Sequence, residues 1–345
     1  MEKQREVYAE WLRIVAAFSV VFQHTVSSAW YDAPVNSLDF FALNFMNSLA
    51  RFGVGVFIML SGAFMLSPEY SHPPKKIFTH NLPKILVVLI FWVVVYGVIN
   101  TVAEGGTALD ILSTPALLFT DPATHLWFLY TLAGLYLITP ALRVFTEHAS
   151  KNMVLYVICI FFVFGLAIPT VSHLVSKFTD VDLYRNLGIR GTTTYAGFYL
   201  AGFYLSKYGL GQKARHILYV MALVSWVLAF YYSTYVSVMT NKPNEYFFGN
   251  FQPTTFLEAA ALFCLFRAKY AKQVTTNPRL IRLSACMLGV YLVHPIFLKA
   301  FYGLKLTLLG SYPLLTAPVV AVVFFALSLA FVRGLRAIPW VKKII

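Results

Sequence analysis

The chain has 345 residues, 59% of them hydrophobic and only 12% charged, with a mean hydropathy of +0.69. Soluble globular domains carry about twice that charged fraction, and apolar runs of span length recur from end to end, so the bilayer must be the solvent for most of the surface. The net charge of +13 does not point to nucleic acid, because the basic residues punctuate the apolar runs instead of forming a patch interleaved with stacking aromatics.

Taken in chain order, the apolar windows predict helical spans near 11–30, 44–66, 83–103, 125–146, 153–173, 191–208, 214–238, 253–270, 283–302 and 313–335. The expected fold is therefore all-α, a polytopic bundle of about ten transmembrane helices in one domain over residues 1–345. The first run carries Arg13 near its start and lacks a small-residue cleavage site, so it reads as a retained span and not a signal peptide. It also carries His24. At about 100° per residue the two side chains fall within roughly 20° of one face, about 16 Å apart along the axis. Arg13 reads either as an interface anchor paired with Glu10 or as a functional cation. His24 reads either as a packing histidine or as an intramembrane functional group.

Arg51 opens the second span and is either a functional cation or a partner for a lipid phosphate. Between the second and third spans Lys75, Lys76, His80 and Lys84 cluster, with Arg143 at another inner helix end. Such a cluster suits a phosphorylated cytosolic donor, and it is also what the positive-inside rule produces with no ligand. The fourth span opens on His125-Leu126-Trp127-Phe128-Leu129-Tyr130. The sixth and eighth hold Gly, Thr and Glu and are candidates for broken or pore-lining helices. The ninth carries Tyr291-Leu292-Val293-His294-Pro295. Cys159, Cys264 and Cys286 all fall inside spans and read as small apolar residues. The histidines lack clustered ligand spacing, so no metal is implied.

With the N-terminus inside, only Lys177, Arg185, Arg190, Lys242, Lys299 and Lys305 fall on outer segments. Arg13 and Arg51 lie within spans, and every other Lys and Arg falls on an inner segment. That bias puts both termini in the cytoplasm and favours an even number of spans. His24, Arg51, His125 and His294 then share a similar outer depth and are candidates to bound one polar pocket.

These motifs resemble the membrane-bound acyltransferase family 3. Its Arg-x10-His signature is met by Arg13 and His24, and its Phe-x3-Ser-Gly pattern by Phe57 to Gly62. The runs from His125 to Leu129, Leu135 to Pro140 and around His294 look like its fourth and ninth spans. Two positions depart from the pattern: Glu10 stands where Asp is frequent, and Lys76-Ile77-Phe78-Thr79-His80 stands where an Arg-x-x-Arg pair is frequent. Within the family the chain looks most like the standalone surface-polysaccharide O-acetyltransferases of the enterobacterial common antigen type.

The resemblance implies transfer of an acyl group, acetyl first, from cytosolic acetyl-CoA to a hydroxyl of a lipid-linked or surface glycan, at the bacterial cytoplasmic (inner) membrane. A sugar hydroxyl is a poor nucleophile at neutral pH, so His24 is assigned as general base or acyl relay. The thioester oxygen gains charge and needs donors, for which Arg51 and Ser61 are candidates, although Ser61 is equally a small packing residue. Arg13, Lys75, Lys76, Lys84 and Arg143 are assigned to the donor, and His125, Trp127, Tyr130 and His294 to the acceptor. A succinyl group would want a further cation, for which Arg185 and Arg190 are candidates or plain loop residues. The rival class, a transporter or flippase for a lipid-linked saccharide, lacks support from any internal repeat of hydropathy or motif between the halves.

Overall fold

The computed structural model describes residues 5–69, 73–107, 123–176, 192–271, 273–303, 312–339 and 341; Arg185 and Arg190 lie outside them. Every predicted span is mostly helical where described. Helix α1 (Val7–Asp32) ends where Pro34 forces Ala33 into an extended conformation (φ −72°, ψ 135°). Ser37 then caps the next helix by accepting from the Phe40 N–H at 3.1 Å.

The second span is interrupted by a turn at Ala50–Arg51 but still runs as one candidate crossing, Leu38–Met65. It consists of α2 (Leu38–Leu49) and α3 (Phe52–Met65), and Arg51 sits in the joint as the N-cap of α3. The third is led in by a short turn, α4 (Pro74–Lys76), and a π-turn before α5 (Leu82–Ala103). The fourth is α6 (Trp127–His148), entered through a 3-10 turn over Thr124–Leu126. The fifth is split into α7 (Lys151–Phe162) and α8 (Ile168–Val175) by a π-turn at Val163–Ala167. That widened turn precedes Pro169, whose missing N–H would otherwise interrupt the ladder.

There follow α9 (Thr192–Lys207), α10 (Gln212–Thr240) and α11 (Pro253–Lys269). The ninth span is bent by 49° between α12 (Pro278–Ser284) and α13 (Met287–Gly303). Helix α14 (Pro313–Leu335) closes the bundle. By length and apolar composition the described residues hold seven membrane-crossing helices, or eight if the bent pair counts as one span. Helices α9 and α11, described over 16 and 17 residues, lie at the expected sixth and eighth spans, at the short end of what a crossing takes, about 17–25 residues.

Helix α1 is the centre of the bundle, packed against α2, α3, α11, α13 and α14. Its buried face is rich in small residues (Ala9, Ala16, Ala17, Ser19), which lets its neighbours approach closely. By contrast α10 and α14 turn large apolar side chains outward, among them Val220, Leu223, Leu228, Val319 and Val322. An apolar exterior on that scale belongs against lipid.

A short antiparallel pair, β1 (Arg5–Glu6) and β2 (Val274–Thr275), ties the N-terminal segment to the connection between α11 and α12. The Val7 N–H extends it by donating to the Gln273 carbonyl at 3.0 Å. This pairing fixes where Arg5 stands.

Helices α3 and α9 meet backbone to backbone. A Cβ on Gly62 would fall on the Tyr199 carbonyl, and one on Gly202 would fall on the Met59 carbonyl. Neither obstacle is a flexible side chain, so the helices would have to separate. We expect Gly202→Ala to destabilise the protein by at least about 1–3 kcal/mol, the usual cost of overpacking. Thermal unfolding of the purified protein in detergent measures it, and an unchanged midpoint would refute the close crossing.

Candidate active site

Three elements bring three histidines together. His24 comes from α1, His125 from the turn that opens α6, and His294 from α13. The His24 and His294 rings stack with centroids 4.9 Å apart, and His24 Nδ1 lies 2.6 Å from His294 Nε2. The His125 ring stands edge-on to His294 at 5.7 Å. His294 and His125 are buried, whereas His24 is only partly so.

The hydrogen bonds decide the tautomers. His294 Nδ1 faces the Val290 carbonyl at 3.2 Å. A carbonyl only accepts, so Nδ1 carries the hydrogen and Nε2 keeps its lone pair. His24 Nδ1 must then donate to His294 Nε2, which leaves the lone pair of His24 on Nε2. Pro295 contributes, because it cannot donate to the Tyr291 carbonyl, and that freed acceptor also lies against the His294 ring. The Tyr291 hydroxyl donates to the His125 carbonyl, and Tyr96 donates to the Leu292 carbonyl at 2.7 Å, so both neighbouring backbones are pinned.

Beside His24 lies an ion-pair network that the sequence only half disclosed. Arg51 is buried, donates from Nε and Nη2 to Asn47 Oδ1 at 3.1 and 2.9 Å, and pairs through Nη2 with Glu245 at 2.7 Å. Its guanidinium lies over the Phe248 ring at 5.0 Å. This burial removes the lipid-phosphate reading of Arg51. Three polar groups around this network lack a hydrogen-bond partner among the described residues: Asn47 Nδ2, His125 Nε2 and both carboxyl oxygens of Glu258. Glu258 lies on α11 within electrostatic range of Arg51. The signal for it was present, since a carboxylate inside a span is a functional candidate by default.

On the other side of three aromatic rings is a cavity of about 430 Å³ lined by Arg5, Arg13, Ser61, His80, Lys84 and Ser284, among others. The rings are Phe57, Phe128 and Tyr291, with centroids 5.3–6.4 Å apart, and all three line the cavity. Tyr291 also stands 5.7 Å from the His125 ring and 6.1 Å from His294, so the rings lie between the cavity and the three clustered histidines. In the cavity the Tyr136 and Ser61 hydroxyls are hydrogen-bonded. Glu10, 2% exposed, pairs with Arg13 at 2.5 Å and Arg5 at 3.6 Å, and accepts from the Ser284 hydroxyl.

A family model described as the acyltransferase domain matches residues 6–333. The chain belongs to this acyltransferase family. No curated protein and no solved structure matches it. It is accordingly a multi-pass membrane acyltransferase, and the residues of its family signature can be placed one by one.

In this acyltransferase Arg13 and His24 stand on opposite sides of the ring partition, Arg13 with the cavity and His24 with His294. Ser61 and Lys84 line the cavity, joined there by His80, Arg5 and Ser284. Lys75 and Lys76 are exposed and do not line it, and Arg143 pairs with Glu147 at 3.6 Å one turn along α6. Of the residues expected to meet the acceptor, His125 and His294 join His24. Trp127 instead stacks on Tyr195 at 5.5 Å, and Tyr130 is exposed on α6. Among the described residues no His, Cys, Asp and Glu group could hold a metal ion.

Proposed function

We propose that the protein transfers an acetyl group from cytosolic acetyl-CoA to a hydroxyl of a lipid-linked or surface glycan, as the enterobacterial common antigen O-acetyltransferase type would. We place it in the bacterial cytoplasmic membrane with about ten crossings and both ends in the cytoplasm. The observation that carries this reading is the chain from Val290 through His294 to His24. It leaves an unprotonated imidazole nitrogen inside the membrane, one ring layer from a cationic cavity.

The donor enters from the cavity side, where Arg13 and Lys84 supply positive charge and Ser61 and Tyr136 supply hydroxyl donors. The acceptor enters on the other side. There the unsatisfied Asn47 amide, Glu258 carboxyl and His125 nitrogen offer the mixed donors and acceptors that a sugar takes up. His24 Nε2 removes the proton from the acceptor hydroxyl as its oxygen attacks the thioester carbonyl. The Ser61 and Tyr136 hydroxyls face the charge that develops on the carbonyl oxygen. Collapse breaks the C–S bond, and the leaving thiolate takes the hydroxyl's proton from the imidazolium. For the two reactants to meet, the Phe57, Phe128 and Tyr291 rings must part.

The test is label transfer. Purified protein in liposomes receives radiolabelled acetyl-CoA inside and a bacterial glycolipid extract as acceptor. Label is expected in the glycolipid, with none when acetyl-CoA is withheld. Movement of glycolipid without acetyl-CoA and without label transfer would replace this reading by the flippase.

A further inference from the structure

A second cleft adjoins the cavity that carries Ser61 and Arg13. It has a volume of about 1080 Å³ and is lined by Arg5, Arg279, Arg282, Arg333 and Arg336, with Trp11 at its side. These arginines come from three separate places, namely β1, α12 and the C-terminal end of α14. No Asp or Glu lines the cleft among the described residues. The two hollows share a wall at Arg5 and Ala285. That wall is the point where the ninth span bends by 49°.

We infer that this arginine cleft seats the phosphorylated nucleotide end of the acyl donor, while the thioester end reaches into the Ser61 cavity; the inference rests on the acyl-CoA reading above. A general inward bias of Lys and Arg explains cations at helix ends but not their convergence on one hollow. Five guanidinium groups facing one hollow offer a ligand bearing several phosphates several charged donors at once. The residues are arginine and not lysine, which favours planar, bidentate recognition of phosphate oxygens. The indole of Trp11 offers a face for a purine. The volume is just above the usual range of small-molecule cofactor sites, about 300–1,000 Å³, which suits a large ligand.

Arg5 is the hinge of the arrangement. The β1–β2 pairing carries it to the shared wall, and its guanidinium reaches Glu10, which also holds Arg13 and Ser284 of the neighbouring cavity. One buried carboxylate thus registers the two halves of the donor site. The loop lysines Lys75 and Lys76 belong to neither hollow.

Lipid headgroups carry the same phosphate chemistry, so the test separates the two sources. Full-length protein is reconstituted in phosphatidylcholine nanodiscs and, separately, with phosphatidylglycerol. Adenosine 3′,5′-bisphosphate is titrated calorimetrically into wild type, the double variant Arg279→Ala/Arg333→Ala and the control Lys75→Ala/Lys76→Ala. Arg279 and Arg333 are exposed, which keeps the variant foldable. The wild type is expected to bind in both lipids, with acetyl-CoA displacing the bisphosphate. Loss of two charge-assisted contacts should weaken binding at least about tenfold in the arginine variant, and the control should match wild type.

Absence of binding to wild type, or equal binding by the arginine variant, overturns the assignment. So does binding abolished by phosphatidylglycerol, which would make the cleft a headgroup site. Arginine-dependent binding of the bisphosphate with no acyl transfer from acetyl-CoA would leave the cleft standing and remove the acetyl-CoA reading. Transfer with an unchanged KM for acetyl-CoA in the arginine variant would do the reverse.

Discussion

His24→Ala is expected to lower acetyl transfer by about three orders of magnitude or more, while the protein still inserts and keeps its unfolding midpoint. General base catalysis alone contributes about 10²–10⁴-fold, and a covalent acyl relay through the same nitrogen would make the loss complete. The sharper prediction concerns His294, whose Nε2 accepts from His24 Nδ1 at 2.6 Å. His294→Leu removes the acceptor for His24 Nδ1–H, frees the ring to adopt the other tautomer and should cost about 10–100-fold, within the range for an orienting partner of a histidine. His294→Gln restores a carbonyl acceptor and should recover much of that loss. The readouts are label transfer and its pH profile: the leucine variant should show a displaced profile, and the glutamine variant should not. A folded His24→Ala protein with wild-type transfer rates would end the role assigned to that residue. Equal rates for His294→Leu and wild type would show that the hydrogen-bonded pair is packing alone.

Much of this site was legible because the membrane makes ionisable residues conspicuous. Arg13, His24, Arg51, His125 and His294 stand out in apolar runs, and helical periodicity puts Arg13 and His24 on one face. Convergence was not legible. That His24 bonds to His294 depends on how α1 and α13 pack, which no local pattern encodes. Glu245 sits in a short turn between α10 and α11, where a carboxylate attracts no notice until Arg51 is seen against it. The donor cations could not be told apart for a related reason. Positive residues at inner helix ends are expected everywhere, and only the fold separates Lys75 and Lys76 from Lys84, or gathers Arg5 with Arg279 and Arg333. The bend at Ala285 was likewise hidden, since the apolar window 283–302 runs straight across it.

Glu10 shows what such a hidden convergence is worth. Its carboxylate is almost completely buried and serves Arg13, Arg5 and Ser284 together. Glu10→Ala strands those groups, and breaking a fully buried pair costs about 3–5 kcal/mol. The arginine side chains are 28% and 42% exposed, so solvent in the cavities offsets part of this and about 2–3 kcal/mol is the expected loss. The same change lets Arg5 and Arg13 swing apart, so the KM for acetyl-CoA should rise about tenfold or more, as for a lost charge-assisted contact of at least 1.5 kcal/mol. Glu10→Gln keeps one acceptor and the shape, and should fall between the two. Removing the stranded charge as well provides the control. In Glu10→Ala/Arg13→Ala the unfolding midpoint should recover toward wild type, because the penalty lies in the unpaired guanidinium and not in the missing carboxylate, whereas donor affinity should not recover. A double variant less stable than Glu10→Ala would mean that Arg13 has other partners of equal weight and that Glu10 does not organise the donor side.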